Sequence, residues 1–208
     1  MKKYLPLAAL LLTAPLAHAQ LGTSTVTSNL NLTVAPEAAL TIQTANTNLT
    51  SPGTNFTGYT GTTNFTYFVR TTKSGGSGSI TLQITTDFAG AGGPSVASPP
   101  TASDKLNYSC TVPAAASGTV TPCTGPLTSS TTAATNVASF GADTRSPKAG
   151  VASSVSWDLS NDPLYQTGSY TAVVTFTIST AQLESDREGR PYCANSWPLQ
   201  RRDRSSSL

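Results

Sequence analysis

The sequence has a single histidine, His18, and that residue lies in an N-terminal segment that we expect to be removed. Histidine is the most common general base at neutral pH and a frequent metal ligand. Without it, the rest of the chain has no Ser-His-Asp or Cys-His nucleophile system and no histidine-bearing zinc site. No other catalytic motif is recognisable. The sequence therefore favours a protein that is not an enzyme and that uses no metal and no cofactor.

Charged residues are also scarce, at 11% of the chain. Between residues 20 and 181 the basic ones are Arg70, Lys73, Lys105, Arg145 and Lys148, and the acidic ones are Glu37, Asp87, Asp104, Asp143, Asp158 and Asp162. A surface with so few cations has little to attract phosphate groups. Nucleic acid is therefore not expected as a partner.

The N-terminus has the three parts of a secretory signal peptide. Lys2 and Lys3 form the basic part, an apolar run extends from Leu5 to Leu16, and Ala17-His18-Ala19 is a small-x-small cleavage pattern. The apolar run is well short of the about 20 residues that a membrane-spanning helix needs. We therefore predict a signal peptide over residues 1–19, no membrane span, and export to the bacterial periplasm, cell surface or medium.

The chain has three cysteines, and two of them are close in sequence. Cys110 and Cys123 flank a stretch with turn-forming proline and glycine residues, and a disulfide is reasonable in an exported protein. A reactive pair would favour a CxxC spacing and basic surroundings, and neither is present. We predict a structural Cys110–Cys123 disulfide, with Cys193 left over.

Apolar side chains between the leader and residue 181 alternate with a period of two, and no segment sustains the 3.6-residue period of a helix. The best segment is Gly168–Ser179, in which Tyr170, Ala172, Val174, Phe176 and Ile178 share one face. Similar alternation predicts strands around Val26–Val34, Leu40–Ile42, Phe65–Val69, Ser79–Phe88, Leu106–Val112, Val137–Phe140 and Val155–Leu159. Glycine and proline clusters separate these segments. The pattern predicts an all-β, antiparallel, immunoglobulin-like β-sandwich of about eight strands, one domain over residues 20–181, with a barrel as the alternative.

Two stretches have a different composition. The stretch from Thr111 to Thr135 is low in complexity and predicts a long loop or an irregular edge. Residues 182–208 hold nine of the charged residues, including Arg201-Arg202-Asp203-Arg204, and have no apolar periodicity. This tail has three interpretations: it binds an acidic partner, it is disordered, or it is frameshift or vector read-through, since Asn195–Asp203 is similar to part of the β-galactosidase alpha fragment.

Carboxylate pairs are the remaining route to hydrolytic catalysis, because glycosidases need two carboxyl groups and no histidine. Asp158 and Asp162 lie near the predicted end of a strand and could form an acid/base pair, or bind calcium with Asn161. The alternative is turn formation, because Asp and Asn side chains bond to nearby backbone in turns. Pro163 follows directly, and the turn interpretation is favoured.

Aromatic residues offer a second kind of site. Tyr59 lies between Gly58 and Gly61 in a predicted loop, where an exposed ring could bind a sugar. Trp157 alternates with Val155 and Leu159 and is therefore expected in the core. Tyr59, Asp158 and Asp162 are the candidate ligand-binding residues of an alternative function, a carbohydrate-binding or glycan-active domain.

The closing segment Gly168–Ser179, taken with the leader, the Thr-rich strands and the opening hairpin Val26–Thr44, resembles small secreted β-sandwich proteins of the spore coat protein U and chaperone-usher pilin type. Those proteins close with a G-x-Y-x-x-x-V-x-x-x-V strand; they also carry an early cysteine, whereas the first one here is Cys110. The resemblance implies a structural or adhesin-like subunit of a fimbrium or other surface structure. Assembly would occur by edge-strand pairing, with Thr23–Val34 donated and Gly168–Ser179 beside the acceptor groove. Alternatively, both segments pair within one complete sandwich.

Overall fold

The computed structural model describes residues 25–181, so the predicted signal peptide and the charged tail 182–208 lie outside the described residues. Residues 34–181 form an all-β unit of nine antiparallel strands with no helix, which confirms the predicted β-sandwich. The strands are β1 (Glu37–Ile42), β2 (Tyr59–Arg70), β3 (Ser77–Thr86), β4 (Leu106–Thr111), β5 (Val120–Pro122), β6 (Leu127–Thr128), β7 (Thr135–Phe140), β8 (Val151–Leu159) and β9 (Val173–Ala181). Across residues 25–181, no helix is long and apolar enough to cross a membrane.

The strands form two sheets. One has the order β1-β2-β8-β4-β6 and the other β5-β7-β3-β9. Ring contacts join the sheets: Tyr67 of β2 lies 5.3 Å from Phe140 of β7, and Phe65 of β2 lies 5.7 Å from Phe176 of β9, between ring centroids. β5 and β6 fall within the stretch predicted as a loop or irregular edge, and each is a short strand at the edge of its sheet.

The core follows from the two-residue alternation. Along β8 every second side chain is buried, and Trp157 is one of them, as predicted. The polar atoms of three buried aromatic rings in this core are hydrogen-bonded, as burial requires. Trp157 Nε1 donates to Thr63 Oγ1 at 2.8 Å, and the hydroxyl groups of Tyr67 and Tyr108 donate to the carbonyl oxygens of Pro113 and Asn136. Burial raises the pKa of Tyr67 to about 12, so its hydroxyl stays a donor.

Cys110 and Cys123 form a disulfide, as predicted, with their Cα atoms 5.7 Å apart. Cys110 lies in β4 of the first sheet, and Cys123 directly follows β5 of the second sheet. The covalent bond therefore joins the two sheets at the side of the sandwich that holds the short edge strands.

One predicted strand segment is not a strand, and another begins later than predicted. The region Val26–Val34 alternates in sequence, but residues 25–36 have no strand, turn or bend. The closing strand begins at Val173 and not at Gly168. The reason is local: the Tyr170 hydroxyl donates to the Gln166 carbonyl, and the ring lies directly against Gly93, where a Cβ atom would be 2.0 Å from it. Tyr170 thus closes a loop and does not continue the face of β9.

Asp87 organises the loop that follows β3. Its carboxylate accepts hydrogen bonds from the backbone N–H groups of Phe88, Val96 and Ala97 and from the Ser95 hydroxyl, at 2.7–3.0 Å. Burial alone would raise the pKa of Asp87, but these hydrogen bonds outweigh it and lower that pKa.

We expect Asp87→Asn to lower the free energy of unfolding by about 1–2 kcal/mol at pH 7, because the amide keeps one acceptor oxygen and loses the charge. A lowered pKa contributes stability above the ordinary aspartate pKa, and that stability is lost as pH falls through the lower value. The difference from wild type should therefore shrink at pH 3. Urea denaturation at both pH values measures it, with the exposed Asp158→Asn as control; an equal difference at both pH values would contradict the role of the charge.

Candidate functional site

One lateral side of the sandwich is formed by two long edge strands. β1 and β9 are edge strands of different sheets, and they contact each other across the sandwich. Among the described strands, β1 pairs only with β2 and β9 only with β3. Each therefore presents one row of backbone N–H and C=O groups that no described strand occupies, which is the usual template for pairing with another chain.

The inward side chains on this side are incompletely covered. Val174, Phe176 and Ile178 of β9 lie directly opposite Ile84, Leu82 and Ile80 of β3. The three β3 residues are at most 1% exposed, whereas their three β9 partners are only half-buried.

The same contrast holds on β1. Ala38 and Leu40 are half-buried, yet their partners on β2, Val69 and Tyr67, are buried. We define the β1–β9 cleft by Ala38, Leu40, Val174, Phe176 and Ile178. One additional strand with apolar side chains would complete its cover.

Residues 25–34 have the matching pattern. Val26, Leu30, Leu32 and Val34 occupy even positions and are 91%, 98%, 86% and 59% exposed. Thr and Asn occupy the odd positions from 25 to 33. An extended segment of this kind has one wholly polar face and one face that is apolar except for Ser28. The apolar side chains are exposed, and an exposed apolar patch marks an interaction site.

The chain is held where it enters β1. Arg70 Nε donates to the Ala35 carbonyl oxygen at 2.8 Å, and Arg70 Nη2 pairs with Glu37 at 2.9 Å. Pro36 restricts Ala35 to extended conformations. The chain therefore passes into β1 without a reversing turn.

The three residues predicted as ligand-binding lie at one end of the sandwich. Tyr59 is the first residue of β2, opposite Leu159, and it is half-buried against the core instead of exposed in a loop. Asp158 is an exposed, outward-facing residue of β8 between Thr60 and Asn107. Asp162 lies in the loop between β8 and β9.

The carboxyl group that meets Asp162 is that of Asp104, which sequence reasoning did not single out. Asp104 is 5% exposed and lies beside Asp162 and Tyr165. Asp162 accepts hydrogen bonds from the Thr101 hydroxyl and from the Leu164 N–H. Asp104 Oδ2 and Tyr165 Oη are buried without a well-aligned hydrogen-bond partner.

The pKa values of these three groups shift in different directions. Burial, and then the neighbouring Asp162 carboxyl, raises the pKa of Asp104. The Thr101 hydroxyl and the Leu164 N–H lower the pKa of Asp162. Burial and the adjacent Asp104 raise the pKa of Tyr165 to about 12.

This pair does not have the geometry of a glycosidase. The two carboxyl groups of such enzymes are separated by about 5–10 Å so that a sugar fits between them. Asp104 and Asp162 lie side by side with no room for a sugar between them, and Asp104 is buried. Among residues 25–181 there is also no cluster of three His, Cys, Asp or Glu side chains that could hold a metal ion.

A shallow cleft of about 500 Å³ lies nearby, with Val96, Pro99, Pro100 and Ala102 in its wall and Lys105 at its edge. It has no carboxylate in its lining. The β1–β9 cleft combines two unpaired strand edges with five half-buried apolar side chains. The opposite edge strands, β5 and β6, are only three and two residues long and carry the half-buried Val120 and Leu127.

Comparison of the chain with protein-family models, with curated proteins and with solved structures finds no match.

Proposed function

We propose that this protein is an exported, non-catalytic structural or adhesin-like subunit of a bacterial surface that assembles by edge-strand pairing. The observation that carries the proposal is the half-buried inward face of β9 beside two unpaired strand edges. We infer that the β1–β9 cleft receives residues 25–34 of a second copy. Backbone hydrogen bonds would give affinity, and alternate side chains would give register.

The dimensions fit. Ten extended residues span about 33 Å at about 3.3 Å per residue, comparable with the nine residues of β9. Burying Val26, Leu30, Leu32 and Val34 contributes about 1.5–3 kcal/mol each before the costs of association. The segment is thus long enough and apolar enough to cover the cleft.

A second copy is favoured over the same chain because residues 25–36 contain no turn or bend. Inserting its own segment beside β1 would require a reversal next to Ala35, whose carbonyl is held by Arg70. Pro36 also lacks the N–H that such a hairpin would use.

Export is part of the proposal. It is supported by the leader pattern of residues 1–19 and by the Cys110–Cys123 disulfide, which is compatible with an extracellular or periplasmic protein. The resemblance of Gly168–Ser179 to the closing strand of spore coat protein U and pilin proteins supports the surface assignment.

Self-association tests the proposal. We expect the wild-type protein to form concentration-dependent oligomers in light scattering coupled to size-exclusion chromatography. Leu30→Asp combined with Leu32→Asp should abolish them, because two charges would enter an apolar cleft. Asn29→Asp combined with Asn31→Asp adds the same charge to the polar face of the segment and should leave the oligomers intact.

A second pair of variants tests the β1–β9 cleft, which would accept the donated segment. Phe176→Asp should prevent assembly, whereas Thr175→Asp on the outer face of β9 should not. A wild-type protein that stays monomeric at about 100 μM would refute the proposal. So would a monomer in which residues 25–34 are protected from hydrogen exchange, because that result means insertion into the same chain.

A further inference from the structure

We propose that Asp104 and Asp162 share a single proton and that this acid pair is a pH-sensitive clasp between two loops. Asp104 lies in the connection between β3 and β4, and Asp162 lies in the connection between β8 and β9. The proposal is independent of strand pairing.

The hydrogen bonds made by the two carboxyl groups indicate that Asp104 holds the proton. Asp162 already accepts from the Thr101 hydroxyl and the Leu164 N–H, so its oxygens act as acceptors. Asp104 Oδ2 is buried beside it without a well-aligned donor, and hydrogen bonding from the Tyr165 hydroxyl and the Thr101 backbone does not cancel the rise in the pKa of Asp104. Two carboxylates cannot bond to each other, and a proton on Asp104 turns this contact into a charge-assisted hydrogen bond.

No cation competes for this role among the described residues. The ion pairs formed within residues 25–181 are Arg70–Glu37 and Arg145–Asp143, and neither includes Asp104 or Asp162. The titratable groups that face Asp104 are Asp162 and Tyr165, and Tyr59 lies next to Tyr165. Since the pKa of Tyr165 is raised to about 12, its hydroxyl is uncharged at neutral pH.

The sign of the pH effect follows from the two shifts. The pKa of Asp104 is raised, so its stabilising contribution is complete below the ordinary value of 3.8 and is lost as pH rises through the raised value. The pKa of Asp162 is lowered, so its contribution is lost only as pH falls below 3.8 through the lowered value. The clasp is strongest between the two values and opens above the upper one, where the two carboxylates repel each other.

Hydrogen exchange of the full chain tests the clasp, with rates corrected for the intrinsic effect of pH. In the wild type we expect protection of residues 160–172 to fall by about tenfold between pH 4.5 and pH 8, because the proton that links Asp104 to Asp162 is lost as pH rises through the raised pKa of Asp104. Asp104→Asn supplies a permanent N–H donor, and its protection should change less than about twofold. The exposed Asp158→Asn should behave as the wild type does.

Three results would overturn the proposal. They are unchanged wild-type protection across this range, an Asp104→Asn variant as pH-sensitive as the wild type, and recovery of wild-type protection at pH 8 with millimolar CaCl₂, which would assign the pair to a cation. If Asp104→Asn does not fold, the carboxyl ¹³C shifts of wild-type Asp104 and Asp162 decide. Two separated, mutually dependent titrations support the shared proton, and two independent titrations near the ordinary value refute it.

Discussion

Replacing Trp157 with alanine is expected to lower the free energy of unfolding by about 3–5 kcal/mol, a large part of the stability of an ordinary domain. Trp157 is 4% exposed, lies in the inner strand β8, and packs against the ring of Tyr108 with centroids 5.8 Å apart. The substitution leaves a cavity and removes the hydrogen-bond donor to the buried Thr63 hydroxyl. Urea denaturation of the disulfide-bonded protein, followed by far-UV circular dichroism, measures the change.

Two companion variants separate the causes. Trp157→Phe keeps most of the ring volume and loses the indole N–H, so it should cost about 0.5–1.5 kcal/mol: one hydrogen bond is lost, but the Thr63 hydroxyl keeps its bond to the Thr47 hydroxyl. Ser156→Ala, one position along on the outer face, should change stability by less than about 0.5 kcal/mol. A loss below 1 kcal/mol in Trp157→Ala would contradict the central packing role of this ring.

Removing the disulfide is the second change with a large expected effect. The double variant Cys110→Ser and Cys123→Ser should lose about 2–4 kcal/mol, because the cross-link joins cysteines with a sequence separation of 13 and so restricts the unfolded chain. The bond also joins β4 of one sheet to the residue after β5 of the other, where the edge strands are only two or three residues long. Among the described strands, β5 pairs only with β7 and β6 only with β4.

Guanidinium denaturation of this double variant, beside wild type under oxidising and reducing conditions, checks the prediction. Reduced wild type should match the double variant, and Cys193→Ser should match oxidised wild type. Equal midpoints for oxidised wild type and the double variant would show that the bond contributes nothing to stability.

The β1–β9 cleft and the Asp104–Asp162 pair need different kinds of residue. The β1–β9 cleft uses backbone groups and apolar side chains that are spread over two edge strands, and it needs no reactive residue. This agrees with a chain that has few charges and a single histidine. The acid pair, in contrast, leaves no space for a substrate between its two carboxyl groups, and it links two loops. Edge-strand assembly is therefore the function for which the geometry gives the strongest support.

Much of the fold could be predicted from local patterns. Alternation at Val155, Trp157 and Leu159 identifies a half-buried strand, because successive side chains of a strand point to opposite faces. The proline and glycine residues between Cys110 and Cys123 indicate a loop short enough for their disulfide. These features depend on neighbours in the chain, and the structure agrees with both.

The alternation of apolar side chains predicted strand in two places where the structure has none. Val26–Val34 has a good strand pattern but no described partner strand, and a strand needs a partner for its backbone hydrogen bonds. Tyr170 continues the pattern of β9, but its ring packs on Gly93 and its hydroxyl reaches Gln166. A period of two therefore indicates which residues can form a strand and not which ones have a neighbour to pair with.

The candidate site shows the same division. The sequence singled out Asp162 but paired it with Asp158, four residues away, whereas Asp162 meets Asp104, 58 residues away, across two loops. Asp104 next to Lys105 looks like a solvated charge pair, and only burial changes its chemistry.

The sequence by itself determined the all-β composition, the faces of the strands and the disulfide, because each depends on side-chain periodicity or on short loops. The tertiary structure alone decided the strand order. That order places β1 and β9 at unpaired edges and leaves Phe176 half-buried opposite a fully buried Leu82. Pairing between strands distant in sequence is set by the packing of the whole sandwich, and no local pattern encodes it.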